Sequence, residues 1–345
     1  MSATAAPARV DGGVEPMDTL GRPLRDLRIS VTDRCNFRCS YCMPRSHFGP
    51  GYRFVPQHGV LTTDEVVRLA GIFVSLGVTK VRLTGGEPLL RAELDHIVSG
   101  LASLDIADIA LTTNGALLRR WAGRLRDAGL RRVTVSLDTL DPAVFSAMSD
   151  SGVAVTDVLD GIAAAREHGL TPIKVNCVVK RDVNEAGLMD LVEFARREQL
   201  LLRFIEFMDV GNHNRWRRED VVTGDEIIER VSRTYPLQEI PSDPSAVART
   251  FRFADGGLLG VVASVSRPFC GGCTRARLGV DGHLFTCLFS DHGLDLRGPL
   301  RAGADDDALR RLIASRWSLR DDRYSELRAV LAAPVPHVEM SYIGG

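Results

Sequence analysis

The chain has 345 residues, which at about 150 residues per domain predicts two domains. Its 43 basic and 44 acidic residues give a net charge of −1, which excludes a general electrostatic binder of nucleic acid. No apolar run approaches the roughly 20 residues that a membrane span needs, and residues 1–17 lack the basic start and apolar stretch of a secretory signal. We therefore expect a cytoplasmic protein that binds neither membrane nor nucleic acid.

Strand-like and helix-like runs alternate through the first two thirds of the chain. The predicted strands are Leu27–Val31, Thr79–Leu83, Asp108–Leu111, Arg132–Leu137, Pro172–Val179 and Leu201–Phe207. The predicted helices are Thr63–Leu76, Leu117–Ala128, Val155–His168 and Leu188–Glu198. Repeated strand–helix steps predict an α/β fold with a partial (βα)6 barrel of the TIM type, whose ligand site lies at the carboxyl ends of the strands. An open doubly wound sheet is the alternative that periodicity leaves open.

The pattern changes near residue 210. A helix-like run at Asp225–Ser232 is followed by short β runs, glycine-rich turns and a hairpin signal at Asp281-Gly282, and the last 45 residues are mostly helical in pattern. We therefore predict a disordered tail over 1–18, a barrel over 19–214 and a smaller α+β domain over 215–345.

Six of the 7 cysteines fall into two groups of three. The first trio is Cys35, Cys39 and Cys42, and the second trio is Cys270, Cys273 and Cys287. In a reducing compartment the spacing favours metal ligation over disulfides. Each trio is one ligand short of a closed zinc site, whereas three thiolates on a four-iron, four-sulfur cluster leave one iron open to bind another molecule. We predict two 4Fe-4S clusters, with zinc as the alternative. Cys177 lies in an apolar run and is interpreted as a small buried residue.

Several predicted strands carry cations at the alternate positions that face the lumen of a barrel. Burying an unpaired charge costs several kcal/mol, which is comparable to the free energy of weak ligand binding. These cations therefore need anionic partners. Internal carboxylates are one possibility, and a bound polyphosphate is the hypothesis that we favour. The cations are Arg28, Arg82, Lys174 and Arg203, with Arg275 and Arg277 at alternating positions beside the second trio.

The spacing Cys-x3-Cys-x2-Cys, with Tyr41 before the third cysteine, follows the first strand. It resembles the signature of radical S-adenosylmethionine (SAM) enzymes, and Thr84-Gly-Gly-Glu-Pro88 resembles their second motif, although an isolated Gly-Gly pair also suits an ordinary turn. With Phe269–Leu278, Phe204–Met208 and Cys287–Ser290, residues 20–345 resemble the GTP 3′,8-cyclase family (protein A) of molybdenum cofactor biosynthesis. Thr274 and Ala276 depart from the Asn and Leu expected there.

The resemblance implies a lyase that converts GTP to (8S)-3′,8-cyclo-7,8-dihydroguanosine 5′-triphosphate through hydrogen abstraction from C3′ by a 5′-deoxyadenosyl radical. It further implies a low-potential electron donor, a downstream cyclic pyranopterin monophosphate synthase and a homodimer. The residues it places around SAM are Tyr41, Gly85, Gly86, Thr113, Ser136 and Met208. Those it places on the triphosphate are Arg28, Lys80, Arg82, Lys174, Arg203, Arg275 and Arg277, and the tail Gly344-Gly345 is expected to enter the active site.

Two rival functions remain at this stage. A radical SAM enzyme that modifies peptides, with an auxiliary cluster, shares the first motif but has no need of several lumen cations. A zinc-stabilised binding module explains six cysteines but not the charged strands or the Gly-Gly-Glu-Pro turn.

Overall fold

The computed structural model describes residues 15–328 and 336–344. Within these ranges the strands are β1 (Asp26–Ser30), β2 (Lys80–Thr84), β3 (Asp108–Thr113), β4 (Arg132–Ser136), β5 (Lys174–Val179), β6 (Leu201–Glu206), β7 (Leu237–Ile240), β8 (Arg249–Phe253), β9 (Leu258–Val262), β10 (Arg275–Leu278), β11 (His283–Phe285) and β12 (Leu294–Asp295). The helices are α1 (Thr63–Ser75), α2 (Leu94–Ala102), α3 (Leu118–Asp127), α4 (Pro142–Ser149), α5 (Val155–Glu167), α6 (Leu188–Arg197), α7 (Gly224–Ser232), α8 (Arg297–Arg301), α9 (Asp306–Ser318), α10 (Tyr324–Leu327) and α11 (Met340–Ile343).

The six predicted strands are β1–β6, and each end lies within two residues of its prediction. The four predicted helices correspond to α1, α3, α5 and α6. Helices α2 and α4 were not predicted, because each is short and lies close to a turn-rich segment. Helix α1 begins with a capping box, in which Thr62 and Glu65 exchange side-chain and backbone hydrogen bonds.

Strands β1 to β6 lie side by side in chain order, and every neighbouring pair is parallel. A doubly wound sheet would reverse its strand order at a switch point, so this order confirms the partial barrel. The apolar residues of β1 and β2, such as Leu27 and Leu83, are fully buried beneath the helices, while the alternate residues face the lumen.

The C-terminal third extends the same sheet at both of its edges. Strand β10 pairs in parallel with β1, and β9 pairs in parallel with β6. The complete order is β12-β11-β10-β1-β2-β3-β4-β5-β6-β9-β8-β7. The predicted short β runs and the hairpin are present as β8 to β11, but they continue the barrel sheet, because its two open edges offer unpaired backbone groups.

The described part of the N-terminal segment is packed against the barrel. Residues 1–14 of the predicted tail lie outside the described ranges. Met17 forms a β-bridge with Pro23, and the side chain of Asp18 is buried in ion pairs with Arg22 and Arg320. The sequence assigned Asp18 to a disordered tail because its two partners, one of them 302 positions away, are invisible in a local pattern. Among the described helices, none combines the length and apolarity needed to cross a bilayer.

Candidate active site

A cavity of about 320 Å³ occupies the lumen of the barrel and is lined by both cysteine trios. The first trio follows β1, while the second trio lies on the loop before β10 and just after β11. Because β1 and β10 are parallel, the first trio lies at the carboxyl end of the barrel strands and the second trio at the amino end, so the cavity joins them through the lumen. The other predicted site residues that line it are Arg28, Arg82, Arg203, Arg275, Arg277, Tyr41, Gly85, Gly86, Thr113, Ser136 and Met208.

The thiols of the first trio are held in their neutral form by their surroundings. Burial, reinforced by the carboxylate of Glu87, raises the pKa of Cys35 to about 12. Burial also raises the pKa values of Cys39 and Cys42. The negative charges of neighbouring thiolates and of Asp138 raise both values further. Thiols in such a place become thiolate ligands only when a cationic centre compensates their charge, as metal binding does.

The Gly-Gly turn after β2 brings two loops together. Gly85 has a φ of +145°, and a Cβ there would overlap the backbone oxygen of Thr32. Gly86 donates its N–H to that same oxygen at 2.8 Å. The family resemblance implies that both glycines lie beside SAM. They do line the cavity, but the crowding that requires glycine comes from the cysteine-bearing loop itself.

Glu87 is buried at the end of this turn and accepts three hydrogen bonds. Its donors are Thr113 Oγ1 at 2.7 Å and the backbone N–H groups of Asn114 at 2.7 Å and Leu89 at 2.9 Å. Burial nevertheless raises the pKa of Glu87 to about 7. The carboxylate fixes Thr113, a predicted SAM contact, and so joins β2 to β3 at the mouth of the barrel.

Tyr41 is anchored by a residue that the sequence did not single out as a site residue. Its hydroxyl donates to Asp138 Oδ2 at 2.7 Å, and the other carboxylate oxygen accepts from the N–H of Val178 at 2.8 Å. Burial raises the pKa of Asp138 to about 6. Its position just beyond β4, at the carboxyl end of a barrel strand, is the signal that could have found it.

Two buried arginines hold the backbone of the second trio. Arg22 Nη1 donates to the carbonyl of Cys270 at 2.7 Å, and Arg320 Nη1 donates to that of Cys273 at 2.7 Å. Arg320 Nε donates to Thr286, the residue before the third cysteine, at 3.1 Å. Asp18 Oδ2 bridges the two guanidinium groups at 2.5 and 3.0 Å. We call these three charged residues, Asp18, Arg22 and Arg320, the clamp.

The charge around the second trio differs from that around the first. Burial alone would raise the pKa of Cys273, but the guanidinium groups of Arg275 and Arg320 outweigh it and lower the pKa to about 7. Burial and Asp322 raise the pKa of Cys287 to about 11. One thiol of the second trio is therefore prepared for the thiolate form by arginines.

Three arginines lie side by side across neighbouring strands. The register pairs Arg28 of β1 with Arg277 of β10 on one side and with Arg82 of β2 on the other. Like charges in direct register are destabilising unless an anion lies between them. Within residues 15–328 and 336–344, neither these three nor Arg203 forms an ion pair with a carboxylate, and the buried Nε atoms of Arg28 and Arg203 have no hydrogen-bond partner. We call Arg277, Arg28 and Arg82 the arginine row.

Two predicted phosphate contacts, Lys80 and Lys174, are not among the residues that line the cavity. Lys80 forms an ion pair with Asp26 at 3.0 Å, so the internal-carboxylate interpretation applies to this residue. Lys174 begins β5, and burial, together with the nearby charges of Arg203 and Arg132, lowers its pKa to about 7. An anion in the lumen would relieve this repulsion.

The C-terminal tail reaches the arginine row. Arg277 Nη1 donates a hydrogen bond to the carbonyl of Gly344, whose φ is +74°. A Cβ on Gly344 would overlap the methyl group of Thr84. Ser341 is buried and lines the cavity. Gly345, the other predicted tail residue, lies outside the described residues.

The six thiols are not arranged around a single metal ion. In the part of the chain that the structure describes, no three Cys, His, Asp or Glu side chains converge as a single metal ion requires. In an iron–sulfur cluster each thiolate binds a different iron, so its ligands need not converge on one point. The donor set of the first trio, three cysteines on one short loop, is the kind that such clusters use, and the second trio offers three thiols from two neighbouring segments.

Family models match most of the chain. The radical SAM superfamily matches residues 29–195, and the molybdenum cofactor synthesis C family matches residues 200–326. Among solved structures, Streptococcus suis SuiB bound to S-adenosylmethionine has the same fold, with a TM-score of 0.60 at 15% identity over 93% of this chain and 77% of that one.

Full-length relatives are much closer in sequence. The GTP 3′,8-cyclase of Acidothermus cellulolyticus is 52% identical, and that of Xanthomonas axonopodis pv. citri is 50% identical. The Staphylococcus aureus GTP 3′,8-cyclase is 43% identical. Each match covers 95% of this chain and 98% of the relative. Identity at this level over nearly the full length establishes that the chain belongs to the GTP 3′,8-cyclase family of radical SAM enzymes.

Proposed function

We propose that the central cavity carries out GTP 3′,8-cyclisation with its two trios in separate roles. The first trio holds one 4Fe-4S cluster and SAM, and the second trio holds the other cluster and the guanine end of GTP. The observation that carries this proposal is the arginine row, which lies between the trios in one cavity and lacks carboxylate partners among the described residues.

The residues present fit these groups. Three thiols in each trio leave one iron of a cluster open, and the buried Nε atoms of Arg28 and Arg203 need an acceptor. When bound, SAM and the first cluster supply a 5′-deoxyadenosyl radical that removes hydrogen from C3′ of GTP, so that C3′ can bond to C8 of guanine.

The chain's own residues bind and orient the nucleotide. Arg277, Arg28 and Arg82 neutralise the triphosphate, and Arg82 is aimed by hydrogen bonds to Thr112 Oγ1 at 2.9 Å and Thr134 Oγ1 at 3.1 Å. Fixing the phosphates holds the ribose at a constant position, which is how binding energy lowers the barrier of the reacting centre. The cations expected to support the row are Lys174, Arg203 and Arg275, whereas the charge of Lys80 is balanced by Asp26.

Other residues hold SAM and exclude water. We expect Tyr41, fixed by Asp138, to contact the adenine side, and the Gly85–Gly86 turn to contact the methionyl side. Thr113, Ser136 and Met208 complete this wall. The tail at Gly344 closes the cavity beside the arginine row, which keeps water away from reactive carbon.

Partners and location follow from this chemistry as part of the proposal. The first cluster needs a low-potential electron donor, and the cyclised nucleotide passes to a cyclic pyranopterin monophosphate synthase. We also propose a homodimer and a cytoplasmic location, where thiols stay reduced.

Anaerobic incubation with reductant, SAM and GTP, followed by mass analysis of the nucleotide, tests the reaction. Replacing all three cysteines of the first trio with Ala should abolish SAM cleavage, while the second cluster stays visible by electron paramagnetic resonance. Replacing the second trio should retain some SAM cleavage and stop cyclisation. Cyclisation at the wild-type rate without the second trio would contradict its role in substrate binding.

A further inference from the structure

A second concave surface lies beside the first trio, outside the central cavity. It is a groove of about 720 Å³, and none of its lining residues lines the central cavity. We call it the basic groove and define it by Arg34, Arg38, Arg45, Arg53, Tyr52 and Phe54.

Most of the positive charge in the basic groove is available to a partner. Arg45 is paired with Asp150 at 2.8 Å. Arg34 and Arg53 are exposed, and within the described ranges neither forms an ion pair with a carboxylate. The guanidinium of Arg34 lies 5.5 Å from the ring centre of Phe54. In a chain of net charge −1 this is a local concentration of cations, next to aromatic rings.

The floor of the groove is connected to the first trio. Arg38 Nη1 donates to the carbonyl of Cys35 at 2.7 Å, and its Nε donates to the carbonyl of Phe48 at 2.8 Å. Arg34 is the residue immediately before Cys35. A molecule seated in the groove therefore lies against the backbone that carries a predicted cluster ligand.

We propose that the basic groove is the docking surface of an acidic one-electron carrier protein that reduces the first cluster. The proposal rests on the proposed function, because it requires a redox cluster on the first trio. One electron leaves the carrier and enters the cluster, so the carrier is oxidised and the cluster is reduced, and no bond or proton changes in this step.

The composition of the groove suits such a partner. Electron-transfer complexes are held by small interfaces, below about 1,200 Å² in total, and depend on complementary charge for rapid encounter. Arginine and aromatic residues are enriched in protein interfaces. A nucleic acid would require a longer basic track than one groove on a protein whose charges otherwise balance.

The test compares a protein reductant with a small chemical one. The variant is Arg34→Glu with Arg53→Glu, and its control is Arg119→Glu with Arg120→Glu, which changes the net charge equally at exposed positions of α3. Each cluster-loaded protein is given SAM and either flavodoxin, an acidic one-electron carrier, or dithionite. Dithionite is a small ion and needs no docking surface.

We expect SAM cleavage with flavodoxin to slow by about tenfold or more in the groove variant, with no change under dithionite and none in the control. The wild-type rate with flavodoxin should fall as salt rises, and this dependence should weaken in the variant.

Equal rates with flavodoxin in variant and wild type, or equal losses with both reductants, would overturn the docking proposal. Binding of single-stranded RNA through these arginines, with unchanged reduction by flavodoxin, would also overturn it. A wild-type protein that fails to cleave SAM even with dithionite would contradict the proposed function itself, and docking with it.

Discussion

Asp18 and Arg320 form a buried ion pair of 3.0 Å that joins positions 302 residues apart in the chain. Asp18 also pairs with Arg22, and the two arginines hold the backbone carbonyls of Cys270 and Cys273. The N-terminal segment and the segment after α9 thus meet at the loop that carries the second trio. The clamp defines the shape of that loop before any cluster is bound.

Removing the carboxylate of the clamp should destabilise the protein and its second cluster together. Asp18→Asn leaves two buried guanidinium groups without their shared anion, which we expect to lower the free energy of unfolding by about 3–5 kcal/mol. Urea unfolding under anaerobic conditions measures this loss. In a background that lacks the first trio, iron content should fall as well, since only the second cluster remains there.

Glu229→Gln, which breaks an exposed pair with Arg233, is the control and should lower the free energy of unfolding by less than about 1 kcal/mol. Wild-type stability and iron content in Asp18→Asn would show that the clamp contributes little.

The arginine row should distinguish a nucleotide from a nucleoside. Arg82→Ala removes a charge-assisted phosphate contact worth about 1.5–3 kcal/mol, so GTP affinity should fall by about tenfold or more. Guanosine affinity should change much less, because guanosine has no phosphate. Calorimetry with both ligands measures this, and Arg119→Ala, an exposed residue of α3, is the control. Similar losses for GTP and guanosine would assign Arg82 a structural role instead.

Lys174 should make GTP binding depend on pH. Its pKa is lowered to about 7 in the free protein, and the negative charge of the triphosphate should raise it again. Binding then takes up protons above pH 7, so GTP affinity should fall as pH rises from about 7 toward 9, by at most about tenfold per pH unit. Calorimetry in buffers of different ionisation enthalpy measures the uptake. The proton uptake should shrink in Lys174→Gln, and an unchanged uptake would show that another group titrates.

The lowered pKa of Lys174 also makes the stability of the folded protein depend on pH. The unfolded chain binds a proton at Lys174 up to its ordinary pKa of 10.5, whereas the folded protein releases it near 7. In the absence of GTP, the charged Lys174 lowers the free energy of unfolding, and this loss is fully present below pH 7. The loss is relieved as the pH rises from about 7 to 10.5, where the folded protein has released the proton and the unfolded chain has not. Comparing wild type with Lys174→Gln by urea unfolding at pH 6.5 and 9 should show a larger gain from the substitution at pH 6.5.

The tail can be tested through the contact between Gly344 and Thr84. Gly344→Ala places a Cβ against the Thr84 methyl group and strains a backbone with a φ of +74°. Folding, both clusters and GTP binding should remain close to normal, while product formation falls by about 100-fold if one well-placed contact is lost at the transition state. Single-turnover assays with saturating SAM and GTP measure this.

Thr84→Ser removes the clashing methyl group and provides the matched second change. In the double variant with Gly344→Ala, turnover should recover in part, because the overlap is relieved while the backbone strain remains. Turnover that is unchanged by Gly344→Ala alone would mean that the tail has no part in the reaction.

Local pattern determined the strands and the motifs of this protein. Alternation in β1 and β2 identified Arg28 and Arg82 as lumen residues, since a side-chain period of two depends only on neighbours in the chain. The spacing of Cys35, Cys39 and Cys42 identified a shared ligand site for the same reason. The family resemblance added the expected activity.

Only the tertiary structure decided what surrounds these residues. The register that aligns Arg277 with Arg28 depends on pairing between strands whose aligned residues are 249 positions apart, which no local pattern encodes. The sequence likewise assigned Asp18 to a disordered tail, although it is buried against Arg320. Strand identity is set by short-range sterics and periodicity, whereas ion pairing and sheet order are set by long-range packing, which depends on the whole chain at once.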